Sequence, residues 1–397
     1  MVVLKYALPV LAAASAVFAA DCGSGDTIKI ENQSDLEKYS SCKTIKGDLK
    51  IEKQAEGELS LNGVQQIDGS FTSEGAGNVT SISAPELSSI KETFHLNGLT
   101  SLSSLKMGSL TKVGSIEFTA LPQLQSLGFE KGVTDAGDVH IANTGLTSLD
   151  GISLKQVGQL DITDNRDMKK ANVENLKNAT GLMNFAGNSE SLKISLPNLA
   201  GAKNMTFRNV SDASFPSLEK LSGQLGFWGL KFETFSAPNL TETGDLVFKG
   251  NEKLSNISMP NLKTINGGFQ ITRNDELKSL DFPKLEQVSG AIDFSGKFDE
   301  VSLGALENVR GGFNMQSTGN FSCGEFRKLR SDKVIRGSYK CEGGKSNPTS
   351  ADGKSGASGT SNGKNSESSE GASVMNVANV PAMGMAAVFG ALLQYAL

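Results

Sequence analysis

Apolar residues in this chain recur on two periods at once. Locally they alternate with polar ones, as in Leu160-Asp161-Ile162, Phe269-Gln270-Ile271 and Ile292-Asp293-Phe294, the period-two pattern of a strand with one buried face. Over a longer span whole units return. Ala237-Pro238-Asn239-Leu240, Met259-Pro260-Asn261-Leu262 and Phe282-Pro283-Lys284-Leu285 share the order apolar, Pro, polar, Leu. The last position of that unit can be followed through Cys42, Val64, Leu87, Leu110, Val133, Leu154, Leu176, Leu199, Leu218, Leu240, Leu262, Leu285, Leu306 and Leu329, in steps of 19 to 23 residues. A unit this short cannot bury its own apolar face, so the repeat predicts coils stacked on one another.

Two further columns give the register. The last apolar residue of each main strand recurs as Phe118, Ile141, Ile162, Phe185, Phe207, Phe227, Phe248, Ile271, Phe294 and Met315. Stacking places these in a continuous dry core, which suits 20 Phe beside one Trp. Asn143, Asn165, Asn188, Asn209, Asn251 and Asn274 follow the strands and are expected at one corner of the coil. The other half of each unit carries no helical periodicity; Leu254-Ser255-Asn256-Ile257-Ser258-Met259 reads as a second short strand. The predicted class is all-β: a right-handed parallel β-solenoid of about 22-residue coils spanning 20–341.

The open ends of such a rod need caps, and all four cysteines lie at them. Four cysteines allow three pairings. Separation along a rigid rod selects Cys22–Cys42 and Cys323–Cys341, each closing a loop worth on the order of 3 kcal/mol. A zinc site would need C-x-x-C spacing or partner histidines, and neither is present.

The termini change the picture from a soluble rod to a surface protein. Lys5 followed by the apolar run Leu8–Ala20 reads as a secretory leader over 1–19, cleaved after Ala19 or Ala20. Residues 342–371 are dominated by Ser, Gly, Lys and Asn and read as a stalk. Small residues and then an uncharged apolar tail over 372–397 form the layout of a glycosylphosphatidylinositol (GPI) signal. Gly371 is the expected attachment residue, with Ser369, Ser373 and Asn376 as competitors. Eight N-x-S/T sites, at Asn32, Asn78, Asn178, Asn204, Asn209, Asn239, Asn256 and Asn320, predict a glycoprotein. Charge is modest, 38 basic against 43 acidic residues, and forms no phosphate-tracking cluster, so nucleic acid is not an expected partner.

Leader, coils, terminal cysteine pairs, stalk and apolar tail, in this order, resemble the fungal GPI-anchored cell-wall organisation proteins, whose body is related to the L-domains of insulin and growth-factor receptors. The resemblance covers essentially the whole chain. It is carried by Ala-Pro-Asn-Leu at 237–240, Met-Pro-Asn-Leu at 259–262, the Gly-Gly-Phe strands at 267–269 and 311–313, and the four cysteines. It implies a plasma-membrane and wall location through a GPI lipid, a part in wall integrity, and no enzymatic activity, catalytic residues or cofactor.

Solenoids also host polysaccharide enzymes, so chemistry needs its own reading. The richest acidic stretch, Asp161 to Asp167, occupies the corner where other units carry Lys249-Gly250-Asn251 or Thr272-Arg273-Asn274. A solvated turn is therefore expected there rather than a cation site. His95 and His140 fall in different coils, and no Ser or Cys stands out as a nucleophile. The outward residues of the main strands, Glu117, His140, Asp161, Asn184, Thr206, Gly226, Val247, Gln270, Asp293 and Asn314, make a polar strip. Trp228 turns outward beside it, suited to stacking on a sugar. Wall glucan or mannoprotein is the partner such a strip would meet.

Overall fold

The computed structural model describes residues 22–351. The leader and the tail with Gly371 lie outside them.

One coil shows how the sequence is spent. A short strand, Asn256–Ser258, buries Ile257. The chain then turns at Met259-Pro260-Asn261-Leu262, where the Leu262 amide donates to the Met259 carbonyl at 3.2 Å. Proline second in that turn has its φ fixed where the turn needs it. A two-residue strand, Thr264–Ile265, leads through a glycine bend into the main strand Phe269–Thr272. A corner at Arg273-Asn274 and a turn closed by the Leu277 amide on the Asn274 carbonyl (3.1 Å) begin the next coil.

Every pairing between main strands is parallel and, past the irregularities that precede Ser115 and Leu182, in register. The predicted core column runs unbroken from Phe118 through Ile141, Ile162, Phe185, Phe207, Phe227, Phe248, Ile271 and Phe294 to Met315. It continues back through Leu96, Ser73, Ile51 and Ile30, and forward to Cys341. Strand spacing of about 4.8 Å suits stacked rings: Phe207, Phe227 and Phe248 follow at 5.4 and 4.9 Å between centroids, within 16° of coplanar. Thirteen members of the Cys42-to-Leu306 series are buried; Leu329 is partly so. Short strands on a second face close the coil, as expected.

Two columns hold the bends. At Gly267, Gly290 and Gly311 each amide donates to the equivalent carbonyl one coil back, at 2.8–3.0 Å. A Cβ at Gly290 would sit 2.7 Å from the Gly267 carbonyl oxygen, so the coils close to this spacing only with glycine there. After the main strand, ten successive coils place one residue at φ 53–72°: Gly75, Gly98, Ala120, Asn143, Asp164, Gly187, Asn209, Gly229, Gly250 and Arg273.

This corrects the asparagine column. Asn165, Asn188, Asn251 and Asn274 share the following position and form true ladders. The Asn274 amide donates to the Phe248 carbonyl (3.0 Å), while its Oδ1 accepts from the Asn251 backbone (3.0 Å) and side chain (2.9 Å). Asn143 and Asn209 stand one residue earlier, at the left-handed corner, which asparagine tolerates. Thr144, Val210 and Leu230 take the ladder position in those coils and the next.

The caps contain the two helices of the described residues. Gln33–Glu37 is held by Asn32 and Asp35 in reciprocal capping bonds and buries Leu36. Gly324–Ser331 packs Phe326 against Phe313, with centroids 5.3 Å apart. Disulfides join Cys22 to Cys42 and Cys323 to Cys341. No helix among the described residues is long and apolar enough to cross a membrane.

Candidate functional site: the outward face of the main sheet

Strand alternation that sends Phe and Ile inward sends another set outward, and strict register lines that set into a ladder. Glu117, His140, Asp161, Asn184, Thr206, Gly226, Val247, Gln270, Asp293 and Asn314 occupy successive rungs, preceded by His95. Two residues on, a second column holds Thr163, Ala186, Arg208, Trp228, Lys249, Thr272, Ser295 and Gln316.

The first part of the strip alternates acid and histidine. His95 Nδ1 lies 3.1 Å from Glu117 Oε2, and His140 Nδ1 lies 2.9 Å from Asp161 Oδ2. The other oxygen of Asp161 accepts from Asn184 at 2.8 Å. The bond to Asp161 raises the His140 pKa; the charges of Asp161 and Glu117 add to that, and partial burial opposes it. The two histidines thus sit two rungs apart on one face, and each is engaged by a carboxylate rather than by a hydroxyl or thiol.

Trp228 does face outward, but it is half-buried. Its six-membered ring folds back over Gly226, where a Cβ would come within 2.2 Å of it. The Arg208 guanidinium lies 4.3 Å from the Trp228 ring centre, covering one face as a cation–π pair. Glycine in the strip is thus the seat for the tryptophan.

Farther along, the strip is covered. Past the final strand Tyr339–Glu342, the first residues of the expected stalk turn back across the sheet. Gln316 pairs with Thr349 as a neighbouring strand would: its Nε2 donates to the Thr349 carbonyl (3.0 Å) and its Oε1 accepts the Thr349 amide (3.3 Å). Asn314 also donates to that carbonyl, at 2.9 Å. The Asp293 carboxylate, fully buried, accepts from Gln270 (3.1 Å), Asn314 (2.7 Å), the Ser350 hydroxyl (2.5 Å) and the Ala351 amide (3.2 Å). Sequence reasoning missed this strap, because Thr349-Ser350-Ala351 has no apolar periodicity to reveal that it packs.

The eight N-x-S/T sequons fall elsewhere. Asn32 caps a helix, Asn78 and Asn256 begin short strands of the second face, and Asn178 begins the track before the main strand. Asn204 lies midway along the strand Gly201–Arg208 and Asn209 just past its end. Asn239 lies in a proline turn and Asn320 follows the last repeat. All are exposed except Asn204, which is half-buried with its Oδ1 accepting the Gln224 amide at 2.8 Å. None occupies either outward column. The Asp161–Asp167 stretch is divided: Asp161 belongs to the strip, Asp164 to the left-handed corner, and Asp167 is exposed. Among the described residues no group of three or more His, Cys, Asp or Glu is placed to hold a metal ion.

Comparison with known proteins places this architecture. The model of the GPI-anchored cell wall organization protein family, Ecm33, matches residues 1–40, and six copies of a BspA-type leucine-rich repeat match 61–161 and 184–296. Protein ecm33 of Aspergillus fumigatus is 61% identical over the whole of both chains. A cell surface GPI-anchored protein of Arthroderma benhamiae is 44% identical across 89% of this chain and 91% of its own. The cell wall protein ecm33 of Schizosaccharomyces pombe is 31% identical across 62% of this chain and 58% of its own. With full-length identity at that level, and with the repeats that the solenoid displays rung by rung, the chain belongs to the Ecm33 family of GPI-anchored cell-wall organisation proteins.

Proposed function

We propose that this chain is a non-enzymatic, GPI-anchored glycoprotein of the fungal surface that contributes to cell-wall organisation and integrity, with the outward strip as its contact surface. The observation that carries the reading is the placement of the eight sequon asparagines, none of which stands in either strip column. Glycans at those positions would stand at corners, turns and the second face, with half-buried Asn204 beside the strip on the main strand and not in either column, and would leave most of that polar surface open. Similarity to relatives named a cell surface GPI-anchored protein and a cell wall protein supports a surface and wall location; the residue we propose to carry the lipid is Gly371. The non-enzymatic reading rests on the strip, where both histidines are tied to carboxylates of the next rung. Cells lacking the protein are expected to become hypersensitive to wall-binding dyes and to regain resistance with the full chain. Unchanged sensitivity on removal would end the reading.

A second reading, recognition of glucan or mannoprotein beside Trp228, is supported by the aromatic ring on a mostly polar strip whose columns hold no sequon asparagine. Arg208 already covers one ring face, so a sugar would stack on the other. Retention on insoluble glucan should fall at least fivefold for Trp228→Ala; equal and negligible retention of both proteins would exclude it.

A further inference from the structure

The last third of the strip is built differently from the rest, and its occupant is visible. We propose that Gln270, Asp293, Asn314 and Gln316 form a clamp for an extended polypeptide, filled in cis by Thr349–Ala351. At Ala351 the chain then stands on the sheet face of the rod, two rungs behind the final strand, and not at its end.

The clamp reads backbone as well as side chains. Gln316 offers an amide donor and acceptor to the two backbone groups of Thr349, as a paired strand would. Asp293 takes the backbone amide of Ala351 and the hydroxyl of Ser350. Gln270 and Asn314 hold the carboxylate from either side along the ladder. A carboxylate that is fully buried is tolerable only with its oxygens saturated by donors, and two of its four donor groups come from the strap. Without the strap these oxygens would return to water, so occupancy and burial are coupled.

The direction of the strap sets the geometry. Thr349 bonds to the rung of Asn314, and Ser350 and Ala351 to the rung of Asp293, so the segment runs back toward the N-terminal coils. Any tether attached farther along therefore pulls on the sheet face. The part of the strip left open lies between His95 and Trp228. The clamp does not depend on what that open part contacts.

Hydrogen exchange of the full, glycosylated chain, followed by mass spectrometry of peptides covering 346–351, tests the clamp. The Thr349 and Ala351 amides should exchange at least tenfold more slowly than in a free peptide of the same sequence. Ala351→Pro deletes one donor from the strap without touching the solenoid, and proline favours an extended Ser350. This change and Asp293→Ala should each bring Thr349 to the free-peptide rate. Free-peptide exchange in the wild type overturns the clamp. So does protection that survives Ala351→Pro, which remains readable should Asp293→Ala fail to fold.

Discussion

Two stretches of the strip share one backbone and differ in what lies above them. From His95 to Asn184, histidines alternate with carboxylates up to a final amide, all half in water and each meeting a neighbour one rung away. From Gln270 to Asn314, the same outward positions are sealed, and Asp293 has no exposed surface. Strand pairing is equally regular in both. The difference teaches that an outward position on a solenoid is not thereby an exposed one. A pair open to solvent contributes at most about 1 kcal/mol, whereas a buried carboxylate must find every one of its donors in the protein.

The comparison can be broken from beneath. Phe248→Ala removes the ring that stacks on Phe227 and leaves a cavity under the junction of the two regions. It should cost about 3–5 kcal/mol in urea unfolding; a change under about 1 kcal/mol would mean that the rungs do not share a core. Asn274→Ala leaves the buried Asn251 backbone amide without its acceptor and removes a side-chain donor from the Phe248 carbonyl, and about 1–3 kcal/mol should be lost by the same measurement.

On the open stretch the effects are smaller and depend on pH. His140 has its folded pKa raised by Asp161, so its protonated form is favoured in the folded state. Its contribution is full below the ordinary histidine value of about 6.5 and declines as pH rises through the raised folded value. With the side chain 42% exposed, screening holds this below about 1 kcal/mol. Melting curves of wild type and His140→Gln should therefore differ at pH 5 and converge by pH 9. A gap that widens with pH would reverse the assignment. High salt, about 1 M, should shrink the gap at pH 5 while leaving the exchange protection of the strap nearly unchanged.

The repeat made most of the architecture legible from sequence. Phe248, Ile271 and Phe294 fall in the predicted file because period-two alternation and a near-constant coil length fix both face and rung. The asparagine corner was half legible: Asn165 and Asn274 could be placed, but Asn143 and Asn209 could not. A left-handed corner and a ladder position one residue apart both favour asparagine. Trp228 was read to the correct face but not to its seat, since nothing in sequence says that a glycine two residues away receives its ring. The strap was not legible at all. Its bonds run from polar side chains to backbone across more than 30 residues of sequence, and neither end carries a pattern.

The central claim is that the open strip is the working surface. Ala186→Thr tests it by completing an N-x-T glycosylation site at Asn184, inside a strip column where no native sequon asparagine stands. With occupancy confirmed by mass spectrometry and the melting point unchanged, the account predicts a folded, surface-located protein that fails to restore dye resistance to cells lacking the native one. Full restoration with Asn184 glycosylated would contradict it.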